Sequence, residues 1–132
     1  MDINILAVIA AALSTFAIGG LWYSSALFGR AWMAANDFSE ADIGDGPGMG
    51  LLAGAFVLSL IMAGNLAAFL SGPETTLGFA LAASLAAGLG WAAAGLAIVA
   101  LFERRGWRYI AINGGYLVVA FLVMGMILGL WR

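Results

Sequence analysis

Residues 77–102 read LGFALAASLAAGLGWAAAGLAIVALF, and no charged side chain interrupts them between Glu74 and Glu103. A helix rises about 1.5 Å per residue, so about 20 apolar residues cross the hydrocarbon core of a bilayer. Lipid offers the backbone no hydrogen-bond partner, which leaves helices and closed barrels as spanning structures. This run is too long and too evenly apolar for the alternating strands of about ten residues that build a barrel. Other uncharged runs cover residues 3–29, 46–73 and 109–131, and with 75–102 all four are 23 to 28 residues long. All twelve charged residues fall at the ends and joints of these runs. The expected fold is all-α: an integral membrane bundle of four transmembrane helices in one domain over residues 1–132. The spans are placed at about 3–25, 48–70, 77–102 and 109–131.

Composition agrees with a membrane class. The chain is 64% hydrophobic and 9% charged, against about 25% charged in soluble domains. A net charge of −2 on so few charged groups points away from a nucleic-acid partner. Cys and His are absent, as are Lys and Gln. No ordinary zinc site, iron–sulfur site or His-ligated haem can be built from what remains. Without Lys there is no retinal Schiff base, and no cofactor is expected. The opening Met1-Asp2-Ile3-Asn4 lacks a positive n-region, and its apolar run exceeds a signal-peptide core, so it reads as a retained first span.

The joints carry local signals. In the first, Asn36 to Pro47, Ser39-Glu40-Ala41-Asp42 fits a capping box, with Phe38 and Ile43 placed as a hydrophobic staple. Gly44 supplies a stop, and Gly44-Asp45-Gly46-Pro47-Gly48 a breaker, so a short interfacial turn of helix is expected there. The first span is read as a slightly kinked helix whose pattern runs on to Ala35, with Gly19-Gly20 and Gly29 as bend points. Joints one and three hold Arg30, Arg104, Arg105 and Arg108, and the opposite side holds only Arg132. The positive-inside rule then places these joints in the cytoplasm and both termini outside. The four arginines are expected to meet anionic lipid headgroups, at about 1 kcal/mol each. Ala26-Leu27-Phe28-Gly29-Arg30-Ala31-Trp32 echoes Ala100-Leu101-Phe102-Glu103-Arg104-Arg105-Gly106-Trp107. That echo is compatible with a 2+2 hairpin repeat, although the plainer reading is the habit of aromatic and Arg residues to gather at helix ends.

Helices in lipid approach one another through small residues. Span three has one small row at Gly78, Ala82, Ala86, Gly90 and Ala94, and a second at Ala80, Ser84, Gly88 and Ala92. Two such rows predict a central position in the bundle. Span two offers Gly50 and Gly54, and span four Gly125 and Gly129, for packing within the chain or between chains. Polar residues at depth are the functional pointers. Asn113 and Tyr116, facing Trp22, Tyr23 and Ser24, form a candidate polar pocket to which Asn65 is added; the plainer reading is a set of interhelical hydrogen bonds. No carboxylate or arginine lies inside a span, which disfavours a proton- or cation-coupled carrier.

Two segments carry a resemblance. Gly20-Leu21-Trp22-Tyr23-Ser24 with Leu27-Phe28-Gly29-Arg30-Ala31-Trp32-Met33 is one, and Arg108 to Tyr116 through Gly125 and Trp131 is the other. Together they resemble the small bacterial membrane proteins grouped as domain-of-unknown-function family 1761. The resemblance implies four membrane helices and no particular activity. Leu117 follows Tyr116 where a polar residue such as His is expected in many relatives.

With no nucleophile–base pair or metal set in view, the expected role is a non-catalytic accessory or scaffold subunit. Its expected partners are the lipid bilayer and either further copies of itself or other membrane subunits. The alternative is a small transporter or channel for a neutral or lipophilic solute. An enzyme acting on a lipid or quinone, using Tyr23, Tyr116 and the arginines, ranks third.

Overall fold

A computed structural model describes residues 2–44 and 46–132. The described residues contain helices and no strand. Four helices are long and apolar enough to span a membrane: Ile5–Trp22, Met49–Phe69, Leu77–Phe102 and Trp107–Leu130. In chain order the elements are α1 (Ile5–Trp22), α2 (Gly29–Ala35), α3 (Glu40–Ile43) and α4 (Met49–Phe69). They continue with α5 (Leu77–Ala87), a π-helical turn (Gly88–Ala93), α6 (Ala94–Phe102) and α7 (Trp107–Leu130).

Local chemistry sets the ends of these helices. Asn4 caps α1, its side-chain oxygen accepting from the Leu6 and Ala7 N–H groups at 3.1 and 3.2 Å. Thr76 caps α5 through the Phe79 N–H. The capping box of α3 forms between Ser39 and Asp42, and Gly44 ends the helix at φ +56°. Asp45, inside the expected breaker, lies outside the described residues, as does Met1. Arg104 sits at φ +59°, where the Arg105 N–H reaches Ala100 O and the Arg104 N–H reaches Leu101 O, a Schellman ending of α6. A side chain at that left-handed position costs about 1 kcal/mol that glycine avoids. Arg104→Gly is therefore expected to stabilise the fold by about that amount, read as a raised thermal midpoint in detergent.

The first span does not run on as a kinked helix. α1 stays regular through Gly19-Gly20, ends at Trp22, and the chain turns over Tyr23–Phe28 before α2 begins. The Phe28 N–H bonds back to Trp22 O and the Gly29 N–H to Ser24 O, each at 2.9 Å. Gly29 makes this turn possible, because a Cβ there would lie 2.5 Å from Tyr23 O and 2.8 Å from Ser24 C and O. The two echoing sequence segments also differ in form. Ala26 to Phe28 is turn, whereas Ala100 to Phe102 is helix.

Lateral order is the second departure from expectation. α7, not span three, is the hub: α1 packs on one side of it and α5 with the π-turn on the other, while α4 packs mainly on α1. Burial follows the same order, at 28% of the spanning window in α1 and α7, 17% in α4 and 11% in span three. Composition fails to locate the hub because a small-residue row only permits close approach; a matching surface must occupy it. That surface exists for one row of span three. Ala80 lies against Gly129, Ser84 against Gly125 and Gly88 against Phe121, in an antiparallel ladder. The other row, Gly78, Ala82, Ala86, Gly90 and Ala94, is exposed. The main apolar cluster joins Ala7, Ala11 and Ala12 of α1 to Ala63 and Ala67 of α4 and Met124 of α7, at the end of the bundle near the termini.

Candidate functional site

The opposite end, where joints one and three meet, is held together by aromatic rings and an amide. Trp22 and Tyr23 stand at the close of α1, facing the first turns of α7. The Trp22 indole N–H donates to Ile112 O at 2.9 Å, and its ring lies over Gly115, where a Cβ would stand 3.0 Å from Cζ2. The Tyr23 hydroxyl donates to Asn113 Oδ1 at 2.7 Å, while Asn113 Nδ2 donates one turn back to Tyr109 O at 3.0 Å. The Tyr116 hydroxyl reaches Thr15 O at 3.2 Å, and the Thr15 and Ser59 hydroxyls pair at 3.0 Å to tie α1 to α4. Tyr23 and Tyr116 rings lie 5.5 Å apart, Tyr23 and Trp32 5.6 Å, and Trp32 and Phe38 5.4 Å. Aromatic pairs at these separations each add about 0.5–1.5 kcal/mol beyond their buried area. α2 is thereby folded back over the end of α1.

The structure brings together Trp22, Tyr23, Asn113 and Tyr116. Ser24 turns away, its hydroxyl donating to Leu21 O at 2.6 Å. Asn65 lies elsewhere, exposed in a separate groove of about 240 Å³ lined by Leu66, Phe69, Ala87, Trp91 and Phe121. The hydrogen bonds that cross between spans at depth are those of Thr15, Ser59, Trp22, Tyr23 and Tyr116, and Asn65 has a part in none of them. The groove continues beside Phe79, Ala83 and Ala86, and its rim is marked by Phe69 and Trp91, ring centroids 6.2 Å apart. It opens laterally because α4 and span three do not pack closely on each other. A 2+2 repeat would make spans two and three meet as spans one and four do; here the second contact is replaced by the groove.

Of the remaining residues, Gly50, Gly54 and Gly90 have no neighbour within 4 Å of a would-be Cβ, and Gly78 meets only Thr76. Ala82 and Ala86 are exposed, whereas Gly125 and Gly129 are closely packed inside the chain. Arg30, Arg104, Arg105 and Arg108 are exposed at the joint-one and joint-three end. Arg105 stacks 4.9 Å over the Tyr109 ring and Arg108 5.6 Å over the Trp107 ring.

Sequence reading missed Trp32 and Phe38, since only the reversal at Tyr23–Phe28 returns them to α1. It also missed Arg132, whose guanidinium donates to Leu70 O and Gly72 O at the C-terminus of α4. There it satisfies a helix-end carbonyl and meets the negative end of the dipole.

Beneath α3, Tyr23, Trp32 and Asn113 line a cavity of about 580 Å³ with Asp42, Ile43 and Leu51. Asp42 is held by α3's own cap: the Ser39 N–H, and after it the Ser39 hydroxyl, keep its carboxyl below the usual carboxylate range. That lowered value stabilises α3 above the unfolded-state pKa, and the stabilisation is lost as pH falls through the folded-state value. Among the described residues no three of His, Cys, Asp or Glu gather as a metal site. The described lining supplies rings, hydrogen-bond acceptors and the Asp42 carboxylate.

No curated protein and no solved structure matches the chain. The Trp22-Tyr23 end of α1, the Asn113–Tyr116 face of α7 and all but the outermost residues of the first and last spans fall within residues 6–129, which match the family model described as "Protein of unknown function (DUF1761)"; the chain belongs to that family.

Proposed function

We propose that this protein is a non-catalytic membrane subunit that assembles, with further copies of itself or with other membrane subunits, through spans two and three. The observation that carries this reading is Asn65, an amide at span depth that none of the described residues engages across the groove. An amide facing hydrocarbon without a partner is costly. An amide also both donates and accepts, so a second helix laid along the groove relieves that cost. The uncovered glycines of span two and the exposed small row of span three allow such a helix close approach. Arginine placement supports cytoplasmic joints one and three with both termini outside, and the resemblance to small bacterial membrane proteins supports a bacterial inner membrane as the location.

The test is native mass spectrometry after mild detergent extraction. Wild-type protein is expected as a dimer or larger assembly, and Asn65→Leu is expected to shift it toward a single 13.6 kDa chain. A wild-type protein that runs as a lone monomer with no co-purifying partner overturns the reading. The cavities beside Asn65 and Asn113 favour one further reading, a small carrier of a neutral or lipophilic solute. Solute flux in proteoliposomes that is abolished by Asn113→Leu distinguishes that carrier from a scaffold.

A further inference from the structure

The cavity under α3 has a chemical bias that neither scaffold nor neutral-solute carrier requires. Two of its walls are the rings of Tyr23 and Trp32, set 5.6 Å apart edge to face. Its floor is the Tyr23–Asn113 pair, and its apolar sides are Ile43 and Leu51. The polar atoms offered there are mostly acceptors. The Tyr23 hydrogen is already given to Asn113 Oδ1, which leaves the phenol oxygen free to accept. One N–H of Asn113 is committed to Tyr109 O. Among the described lining residues Asp42 is the one with a charged side chain, and none is an arginine. Its carboxylate is positioned rather than spent: the Ser39 N–H and hydroxyl both go to Oδ2, at 2.8 and 3.0 Å, so Oδ1 keeps its lone pairs.

Aromatic faces, acceptor oxygens and one carboxylate complement a positive charge on an apolar body. Such a charge over the face of Trp or Tyr is attracted by the ring quadrupole, more strongly as water is excluded. At about 580 Å³ the space suits a small organic molecule. It also sits at the bundle end rich in tryptophan and tyrosine, the level that such rings take at a membrane surface, where an amphipathic ion concentrates. We propose that this cavity is a binding site for an amphipathic organic cation, an ammonium or phosphonium centre on an apolar body. The source is either a free amphiphile or the amine headgroup of a lipid.

The test uses the full-length protein in dodecyl maltoside with tetraphenylphosphonium as the probe, followed by calorimetry and tryptophan fluorescence. Saturable one-to-one binding is expected, with the neutral triphenylphosphine oxide at least about tenfold weaker. Asp42→Asn and Trp32→Leu are each expected to weaken the probe about tenfold or more, and Asp37→Asn less than about twofold. Ser39→Ala loosens the α3 cap but keeps the carboxylate, so it is expected to retain most of the affinity. Dihexanoyl phosphatidylethanolamine that competes where dihexanoyl phosphatidylglycerol does not identifies a lipid headgroup as the source; competition by neither identifies a free amphiphile. Equal affinity for the neutral oxide, unchanged binding in Asp42→Asn, or a Ser39→Ala loss as large as that of Asp42→Asn overturns the proposal.

Discussion

Gly125→Leu is expected to separate span three from α7 and to cost at least about 3 kcal/mol, the upper part of the usual range for overpacking. A Cβ on residue 125 would lie 1.9 Å from Ser84 Oγ, 2.6 Å from Ser84 Cβ and 3.2 Å from Ala80 O. Turning the Ser84 hydroxyl away relieves only the first of these contacts. The backbone of α5 must move, and the neighbouring contacts Gly129 to Ala80 and Gly88 to Phe121 move with it. Lipid supplies no hydrophobic force to hold the pair together once this packing is lost. The measurement is unfolding in mixed micelles with rising dodecyl sulfate, where the variant should lose structure well before wild type. Two companions sharpen the reading. Gly54→Leu, with open space around it, should leave monomer stability unchanged. Ser84→Ala should be neutral or mildly stabilising, because the Ser84 hydroxyl is buried with no hydrogen-bond partner among the described residues. If Gly125→Leu unfolds like wild type, the antiparallel ladder between span three and α7 is wrong.

Gly29→Val should be nearly as damaging, and its effects should reach the aromatic end. The obstruction here is backbone, Tyr23 O at 2.5 Å and Ser24 C and O at 2.8 Å, so no side-chain rotation can make room. The turn over Tyr23–Phe28 must open, at a cost of about 2–3 kcal/mol. Opening it withdraws Trp32 from Tyr23 and Tyr23 from Asn113. Hydrogen exchange should therefore quicken across residues 23–35, while the helical protection of α4 and α7 beyond Asn113 stays close to wild type. The cavity under α3 should lose its probe affinity in the same variant. Gly20→Ala is the control. Nothing lies within 4 Å of a Cβ there, and the residue is helical, so the change should stabilise α1 by about 0.5–1 kcal/mol. Equal exchange rates in Gly29→Val and wild type would show that the turn does not depend on this glycine.

Several features of the site were legible because they depend on neighbours in sequence. The Ser39–Asp42 capping box is one, since a cap is a contact across three residues. The meeting of Trp22 and Tyr23 with Asn113 and Tyr116 was also within reach, because aromatic and amide side chains at the ends of two spans near the same surface have few other partners. Trp32 was not. Its place beside Tyr23 depends on the chain reversing within six residues, and the sequence there, Tyr23-Ser24-Ser25-Ala26-Leu27-Phe28, reads equally well as continuing helix. Asn65 was legible as a polar residue at depth, but the direction it faces was not.

The primary sequence by itself determined the number of spans, their approximate limits and the nature of their ends, since burying charge in hydrocarbon and leaving backbone groups unpaired there are both costly enough to overrule everything else. Tertiary structure decided which faces touch. Span three carries two small rows that are nearly equivalent in composition, yet Ala80, Ser84 and Gly88 are buried while Ala82, Ala86 and Gly90 stay exposed. In water the difference between apolar and polar faces would have announced the inner one. In lipid the surroundings are as apolar as the core, so hydropathy is silent about inside and outside. What selects the row is shape: Gly125, Gly129 and the Phe121 ring on α7 leave space that only one of the two rows can fill.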